Sequence, residues 1–134
     1  MRRTPTTINP QLSRILSETG HTDELVVTDA GLPIPPGAER VDLAYRRGQP
    51  PFLDVLETVL AEIVVEGAVM PAEVAEASPE TLAAVRERLA PFGVDVELVP
   101  HVEFKARSHG ARAFVRSGEY TSYANVILIA GVDY

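Results

Sequence analysis

The fold is decided by residues 20–35, which read Gly-His-Thr-Asp-Glu-Leu-Val-Val-Thr-Asp-Ala-Gly-Leu-Pro-Ile-Pro. The apolar run Leu25-Val26-Val27 predicts a short buried strand. Asp29 follows this strand, and His21 precedes it directly after Gly20, a residue suited to ending a helix. In open α/β sheets, ligands bind outside strand ends because polar loop groups converge there over a rigid support. The stretch is therefore the candidate active site.

His21 and Asp29 each have a purely structural interpretation as well. A histidine after a helix-ending glycine is often only a cation that favours the negative end of the helix dipole. An aspartate after a strand is often the first residue of a turn. Both interpretations stay open for both residues, and it is their combination in one stretch that favours a site.

The composition is that of an ordinary globular domain. A chain of 134 residues that is 46% hydrophobic can bury one core, so we expect a single domain over residues 1–134. The net charge of -7 argues against a nucleic-acid partner, and the pairs Arg2-Arg3 and Arg46-Arg47 are interpreted as solvated charge. Cysteine is absent, which excludes disulfides and cysteine nucleophiles.

No segment of the sequence predicts contact with a membrane. The N-terminal arginines are not followed by an apolar run, so a signal peptide is not expected. The longest apolar run, Val126 to Ala130, is far too short to span a bilayer. We therefore expect a cytoplasmic protein.

Helices alternate with strands along the chain. Asn9-Pro10 is typical of a helix start, and apolar residues at helical spacing continue towards Gly20. Further helices are predicted at 52–60, between Ser78 and Gly93, and at 101–107, with a helical turn or two in 71–77. Strands are predicted at 24–28, 63–70, 94–98, 111–116 and 126–130, and 41–43 is a strand or a turn. Gly67 marks a bulge or a close backbone approach. This order predicts an α/β three-layer sandwich with a mixed, largely parallel central sheet flanked by helices.

The sequence lacks the motifs of metal and nucleotide sites. It contains no HExxH, no GxGxxG and no GxxxxGK[ST], so neither a metal nor a nucleotide cofactor is predicted. Ser117 lacks the flanking glycines of a nucleophile elbow, and His109 is interpreted as an exposed loop residue. Histidine, aspartate, tyrosine and asparagine on strand-end loops remain. These groups can hold hydroxyls and move protons without a cofactor, which fits a proton transfer on a small polyhydroxy compound.

Three segments resemble the ribose pyranase/fucose mutarotase family. Residues 21–35 resemble its N-terminal signature, and residues 101–105, His-Val-Glu-Phe-Lys, resemble its middle segment. Residues 116–119, Arg-Ser-Gly-Glu, and 123–128, Tyr-Ala-Asn-Val-Ile-Leu, resemble its C-terminal signature. The similarity runs nearly end to end, and residues 71–95 depart most from the family pattern.

Details of these signatures resemble the ribose branch of the family. The fucose branch is expected to carry a bulkier residue than Gly31 and an aromatic residue in place of Leu32. Glycine in place of Ala124 is typical of that branch as well.

The resemblance implies an activity and a site. It implies interconversion of the pyranose and furanose rings of D-ribose, with His21 as proton donor and no cofactor. It also implies that Asp29, His101 and the segment Tyr123-Ala124-Asn125 bind the sugar, and an alternative role of Asp29 in orienting His21 stays open. Family members are expected to form homo-oligomers of five-subunit rings, two rings stacked into a decamer, with each site built from neighbouring chains. A fucose-type mutarotase and a non-catalytic ribose-binding accessory protein of a sugar transporter stay open as alternatives.

Overall fold

The computed structural model describes residues 1, 3 and 6–134, so Arg2 of the first arginine pair lies outside the described residues. The helices are α1 Pro10–Glu18, α2 Phe52–Leu60, α3 Val74–Ala77, α4 Pro79–Leu89 and α5 His101–Ser108, with a 3-10 turn at Ala90–Phe92. The strands are β1 Glu24–Thr28, β2 Arg40–Asp42, β3 Val65–Pro71, β4 Val96–Val99, β5 Ala113–Arg116 and β6 Val126–Ala130. Within this part of the chain, no helix is long and apolar enough to cross a membrane.

The strands form one six-stranded sheet in the order β2-β5-β1-β6-β3-β4. Strand β6 is antiparallel to its neighbours β1 and β3, whereas the pairs β2-β5, β5-β1 and β3-β4 are parallel. The side chains of Leu25 to Val27 and of Val126 to Leu128 are fully buried, as expected for central strands covered on both faces. The predicted mixed, largely parallel sheet is confirmed.

Helices cover the sheet on both faces. On one face, buried side chains of α1, α2 and α4 pack with Leu25, Val27 and Leu128. On the other face, Phe104 of α5 packs with Val26 and Ile127. Neighbouring residues of β1 thus point to opposite layers, as the two-residue period of a strand requires. The predicted three-layer sandwich is confirmed.

Helix α1 starts as predicted and ends close to the predicted position. The Asn9 side chain caps it by accepting a hydrogen bond from the Leu12 N–H at 2.9 Å. The helix ends at Glu18 with Thr19 as its C-cap, and Gly20 follows the cap without the left-handed conformation of a terminating glycine. Instead, the Gly20 N–H donates to the Asp23 carboxylate at 2.8 Å, and Thr22 takes the left-handed backbone conformation with φ 70°. A side-chain acceptor thus replaces the backbone turn that a terminating glycine provides.

Strand β3 carries the irregularity predicted at Gly67. Its register with β6 shifts between Val65, opposite Ala130, and Gly67, opposite Ile129. Glu66 is therefore the extra residue of a β-bulge. A Cβ atom on Gly67 would lie 2.9 Å from Cδ1 of Ile129, so the glycine leaves room for the Ile129 side chain. The bulge interpretation is confirmed, whereas the close contact at Gly67 is with a side chain and not with backbone.

Candidate active site

Asp29 lies at the carboxyl end of β1 and closes a short turn. Its Oδ1 accepts hydrogen bonds from the N–H groups of Gly31 at 2.9 Å and Leu32 at 2.8 Å. This is the turn that the structural interpretation of Asp29 predicted. The turn fixes the carboxylate at the start of the loop that carries Pro33 and Pro35.

Asn125 holds the second oxygen of the same carboxylate. It precedes β6, the antiparallel neighbour of β1, and is 1% exposed. Its Oδ1 accepts from the Asp29 N–H at 2.8 Å, and its Nδ2 donates to Asp29 Oδ2 at 3.2 Å. Because its oxygen and its nitrogen have different partners, the orientation of the amide is determined. One N–H of Asn125 remains for another acceptor.

His101 and Tyr123 bring two rings to this end of the sheet. The imidazole of His101, the first residue of α5, meets the Tyr123 ring edge-on, with the ring centroids 5.1 Å apart. The backbone N–H of His101 donates to both carboxylate oxygens of Glu73, at 3.0 and 3.1 Å. Nδ1 of His101 is buried and has no hydrogen-bond partner among the described residues. A buried ring nitrogen without a partner is rare in folded proteins, so this atom is a candidate for a functional contact that the single chain does not provide.

The segment Tyr123-Ala124 contributes mainly through its backbone. Tyr123 has φ 64°, a left-handed conformation that is uncommon for a residue with a side chain and that clusters at functional sites. The Asn125 N–H bonds to the Tyr123 carbonyl at 2.8 Å, which closes a three-residue turn. Ala124 is fully buried in the core, so its side chain is out of reach of a ligand and only its main chain can take part in a site.

Burial raises the pKa of the Asp29 carboxyl above its usual range. The N–H donors of Gly31, Leu32 and Asn125 oppose this rise, as does the nearby imidazole of His101. The electrostatic effect of His101 on the Asp29 carboxyl shows that His101 lies near the Asp29–Asn125 pair. We call the four residues Asp29, His101, Tyr123 and Asn125 the Asp29 cluster.

A cavity of about 340 Å³, within the usual size range of small-molecule sites, opens at Asp29, the one member of the Asp29 cluster that lines it. It is lined by Asp29, Ala30, Gly31, Arg116 and residues 119–122. Two bonds hold its rim to the loop after β1: the Ala30 N–H donates to the Glu119 carbonyl at 2.8 Å, and Arg116 Nε donates to the Ala30 carbonyl at 3.1 Å. Arg116 also pairs with Asp42 at 2.9 Å, so its guanidinium is fixed.

His21 lies at the opposite end of β1 from the Asp29 cluster. The five-residue strand between them spans about 17 Å at the usual rise per residue. The His21 side chain is 52% exposed, and its Nε2 lies 2.9 Å from Glu66 Oε2. The stretch 20–35 therefore does not form one continuous site within a single chain.

The family model described as the RbsD / FucU transport protein family matches residues 1–133. The chain belongs to the RbsD/FucU family. It is 51% identical to the D-ribose pyranase of Laribacter hongkongensis over 127 residues, which cover 95% of each chain. The structure of Bacillus subtilis RbsD complexed with D-ribose matches with a TM-score of 0.93 at 36% identity, covering 100% of both chains.

The fucose mutarotase of Streptococcus pneumoniae, solved in complex with L-fucose, matches with a TM-score of 0.82 at 24% identity over 100% of both chains. At this identity, the likeness shows the fold alone. The resemblance to this family inferred from the sequence signatures is confirmed.

Several polar residues at the site of this RbsD/FucU member had no predicted role. Glu73 holds the backbone of His101 from 28 positions away, and nothing in its local sequence indicates this. Glu119 accepts from the Phe52 N–H at 3.1 Å and from the Thr121 hydroxyl at 2.9 Å, so it joins the cavity rim to the start of α2. The only sequence feature that pointed to Glu119 was its place in the segment 116–119, which resembles the C-terminal signature of the family.

The charged residues for which no functional role was predicted lie at the surface. His109 and Arg46-Arg47 are exposed, as predicted. Among the described residues, no three His, Asp or Glu side chains are grouped so that they could hold a metal ion.

Proposed function

We propose that this chain is a cofactor-independent D-ribose pyranase, an isomerase that interconverts the pyranose and furanose forms of free ribose. The observation that carries the proposal is the Asp29 cluster: a half-buried carboxylate held by a buried amide, next to an imidazole nitrogen without a partner. Such a cluster offers several acceptors and donors to the hydroxyls of a sugar. The likeness to D-ribose pyranases extends over nearly the whole chain, which we take as one domain over residues 1–134.

The reaction needs two proton transfers and no redox step. When the ring opens, the bond between C1 and the ring oxygen breaks, and that oxygen gains a proton. The anomeric hydroxyl loses its proton as its oxygen becomes the carbonyl. Closure through a different hydroxyl reverses both transfers. A histidine with a pKa near ~6.5 can serve in either direction at neutral pH, and a positioned acid or base typically accelerates a reaction by about 10²–10⁴-fold.

In this proposal His21 gives the proton to the ring oxygen, and the Asp29 cluster binds the sugar. Asp29 and His101 accept or donate to sugar hydroxyls, and Asn125 supplies its remaining N–H. Ala124 and Tyr123 contribute main-chain groups, with the Tyr123 ring as a wall against His101.

The site is completed by a second copy of the chain. His21 and Asp29 lie at opposite ends of β1, so a His21 that reaches the Asp29 cluster belongs to a neighbouring chain. Large apolar side chains that are exposed in the single chain support this, because an assembly would bury them. Val102 next to His101 is 75% exposed, and Tyr45 and Tyr120 near the cavity are 71% and 61% exposed. We propose rings of five subunits, stacked in pairs, in the cytoplasm; sedimentation and cell fractionation test these two points.

The activity is tested by saturation-transfer NMR on D-ribose, with L-fucose as the comparison sugar. The purified protein is expected to accelerate exchange between the pyranose and furanose signals of ribose, and to do so more than for fucose. Ribose binding without faster exchange would favour the accessory-protein alternative. Larger acceleration for L-fucose would favour the fucose-type mutarotase.

The role of His21 is tested with His21→Ala. Since His21 transfers a proton and the Asp29 cluster holds the sugar, exchange is expected to fall by about 10²–10⁴-fold while ribose still binds in calorimetry. His109→Ala is the matched control, because His109 is an exposed histidine outside the site. Wild-type exchange rates in His21→Ala would contradict the role.

A further inference from the structure

Glu66 forms a hydrogen bond with the imidazole of His21 from a distant part of the chain. The two residues are 45 positions apart, and Nε2 of His21 lies 2.9 Å from Oε2 of Glu66. Strand β6 separates β1 from β3 in the sheet, so the pair reaches past the end of an intervening strand. A contact of this kind requires local features of the backbone that bring the Glu66 side chain past β6 to His21.

Two features of the backbone provide that reach. Glu66 is the extra residue of the β3 bulge, and bulges redirect side chains and are common beside active sites. Gly131, directly after β6, lies next to Glu66. A Cβ atom on Gly131 would lie 3.2 Å from the Glu66 Cβ and 3.5 Å from the Glu66 nitrogen. The bulge and the absence of a side chain at Gly131 together allow the Glu66 side chain to reach the end of the sheet where His21 lies.

The pair is poorly placed to serve the fold. The side chains of His21 and Glu66 are 52% and 44% exposed, and exposed ion pairs contribute little to folding stability. Asp23, the nearest carboxylate in sequence, is already engaged by the Gly20 N–H at 2.8 Å and by Arg112 Nε at 3.0 Å. Glu66 is thus the carboxylate that bonds to His21 among the described residues.

The chemistry of the contact determines which imidazole nitrogen is free. An ionised carboxylate only accepts hydrogen bonds, so Nε2 must carry the proton in this contact. Nδ1 of the neutral ring then carries the lone pair, and the carboxylate stabilises the imidazolium that forms when Nδ1 is protonated. Carboxylates select the tautomer and orientation of histidines in this way in other acid–base sites.

We propose that Glu66 is a positioning residue for His21, which makes Nδ1 the nitrogen that exchanges a proton with the sugar. This inference rests on the proposed function, in which His21 is the proton-transfer group. Glu66 acts through His21 and does not touch the sugar.

The first test measures the His21 ring directly and does not depend on activity. Imidazole ¹⁵N chemical shifts of the wild-type protein are expected to show neutral His21 protonated on Nε2. In Glu66→Ala, the fraction of neutral His21 protonated on Nδ1 is expected to rise to that of a free histidine side chain, and an unchanged tautomer ratio would contradict the role of Glu66. A wild-type ring protonated mainly on Nδ1 would overturn the proposal whatever the enzyme activity.

The second test separates kcat from KM for ribose exchange. In Glu66→Ala, kcat is expected to fall on the order of tenfold, the lower range seen when a partner that orients a histidine is removed, with KM unchanged. Glu66→Asp, which keeps the charge, is expected to recover part of kcat. The matched control is Glu97→Ala, which removes another strand glutamate from an exposed ion pair, with Arg107.

The outcomes distinguish this proposal from the proposed function. If His21→Ala is inactive while Glu66→Ala matches Glu97→Ala in kcat, the role of Glu66 is wrong and that of His21 stands. If His21→Ala is fully active, the roles of both residues are wrong. Should Glu66→Ala fail to fold, Glu66→Gln replaces it, since it keeps the size of the side chain and removes its charge.

Discussion

At the scale of single residues, the contacts of Asp29 are compatible with both interpretations of its sequence position, as a turn residue and as a site residue. It closes a turn through Gly31 and Leu32, and it holds Asn125 with its other oxygen. A carboxylate restrained in this way presents its free lone pairs in a fixed direction, which suits the binding of a sugar hydroxyl. The structural and the functional roles of Asp29 are therefore compatible.

The raised pKa of Asp29 predicts a pH dependence of stability. Between the usual aspartate value of about 3.9 and the raised folded value, the folded chain binds more protons than the unfolded chain. Stability from this group therefore increases as the pH falls through that window, and it is lost as the pH rises through the folded pKa. Asp29→Asn removes the dependence.

Urea unfolding of both proteins across this pH range checks the prediction. The wild type is expected to gain stability relative to Asp29→Asn as the pH is lowered towards about 4. The lost hydrogen bonds of the variant add only a constant offset. A difference that is independent of pH, or that changes in the opposite direction, would contradict the raised pKa.

The sequence could predict the site residues that have strand-end positions or family signatures. Asp29, His101, Tyr123 and Asn125, which the resemblance implied as sugar-binding residues, lie together at one end of the sheet, and their binding of a sugar stays a prediction. Glu66 could not be predicted, because it reaches His21 only through a bulge and past the end of another strand. Contacts of this kind depend on strand order and register, which local patterns do not encode.

At the scale of elements, the strongly apolar strands were the most predictable. The observed bounds of β1 and β6 are the predicted ones, since the apolar runs Leu25 to Val27 and Val126 to Ala130 are typical of central strands buried on both faces. Helix α1 ends close to the predicted position, directly before Gly20, but the Asp23 side chain meets the Gly20 N–H in place of a glycine turn. The site loops depend instead on tertiary contacts between segments far apart in sequence, such as Asp29 with Asn125 and His101 with Glu73.

Gly118 joins two of these loops. Its N–H donates to the Pro50 carbonyl at 2.8 Å, and its carbonyl accepts from the Gly48 N–H at 2.7 Å. A Cβ atom at Gly118 would lie 2.2 Å from the backbone oxygen of Gln49, where no flexible side chain can yield. Gly118→Ala is therefore expected to separate the loops and to destabilise the fold by about 1–3 kcal/mol.

Chemical denaturation of Gly118→Ala tests this, together with its ribose exchange rate, which is expected to fall because the cavity rim moves. Gly37→Ala is the control, since a Cβ atom there meets nothing within 4 Å. If the two variants were equally stable and equally active, the close approach at Gly118 would not restrain the site.

At the scale of the whole molecule, the proposed site is divided between two chains. One end of β1 carries the Asp29 cluster and the other carries His21 with Glu66. A strand cannot bring its two ends together, so proton transfer and sugar binding meet only where the end of one chain faces the opposite end of another. Head-to-tail contacts of this type close into rings when the rotation between subunits allows it.

The most direct measurement mixes two inactive variants, His21→Ala and Asp29→Ala, in one assembly. The two chains are co-expressed with different tags, and assemblies that carry both tags are purified. If each site takes His21 from one chain and Asp29 from its neighbour, about a quarter of the sites in randomly mixed rings regain both residues. Saturation-transfer NMR is then expected to show restored exchange of D-ribose. Mixed assemblies as inactive as either parent would contradict the divided site.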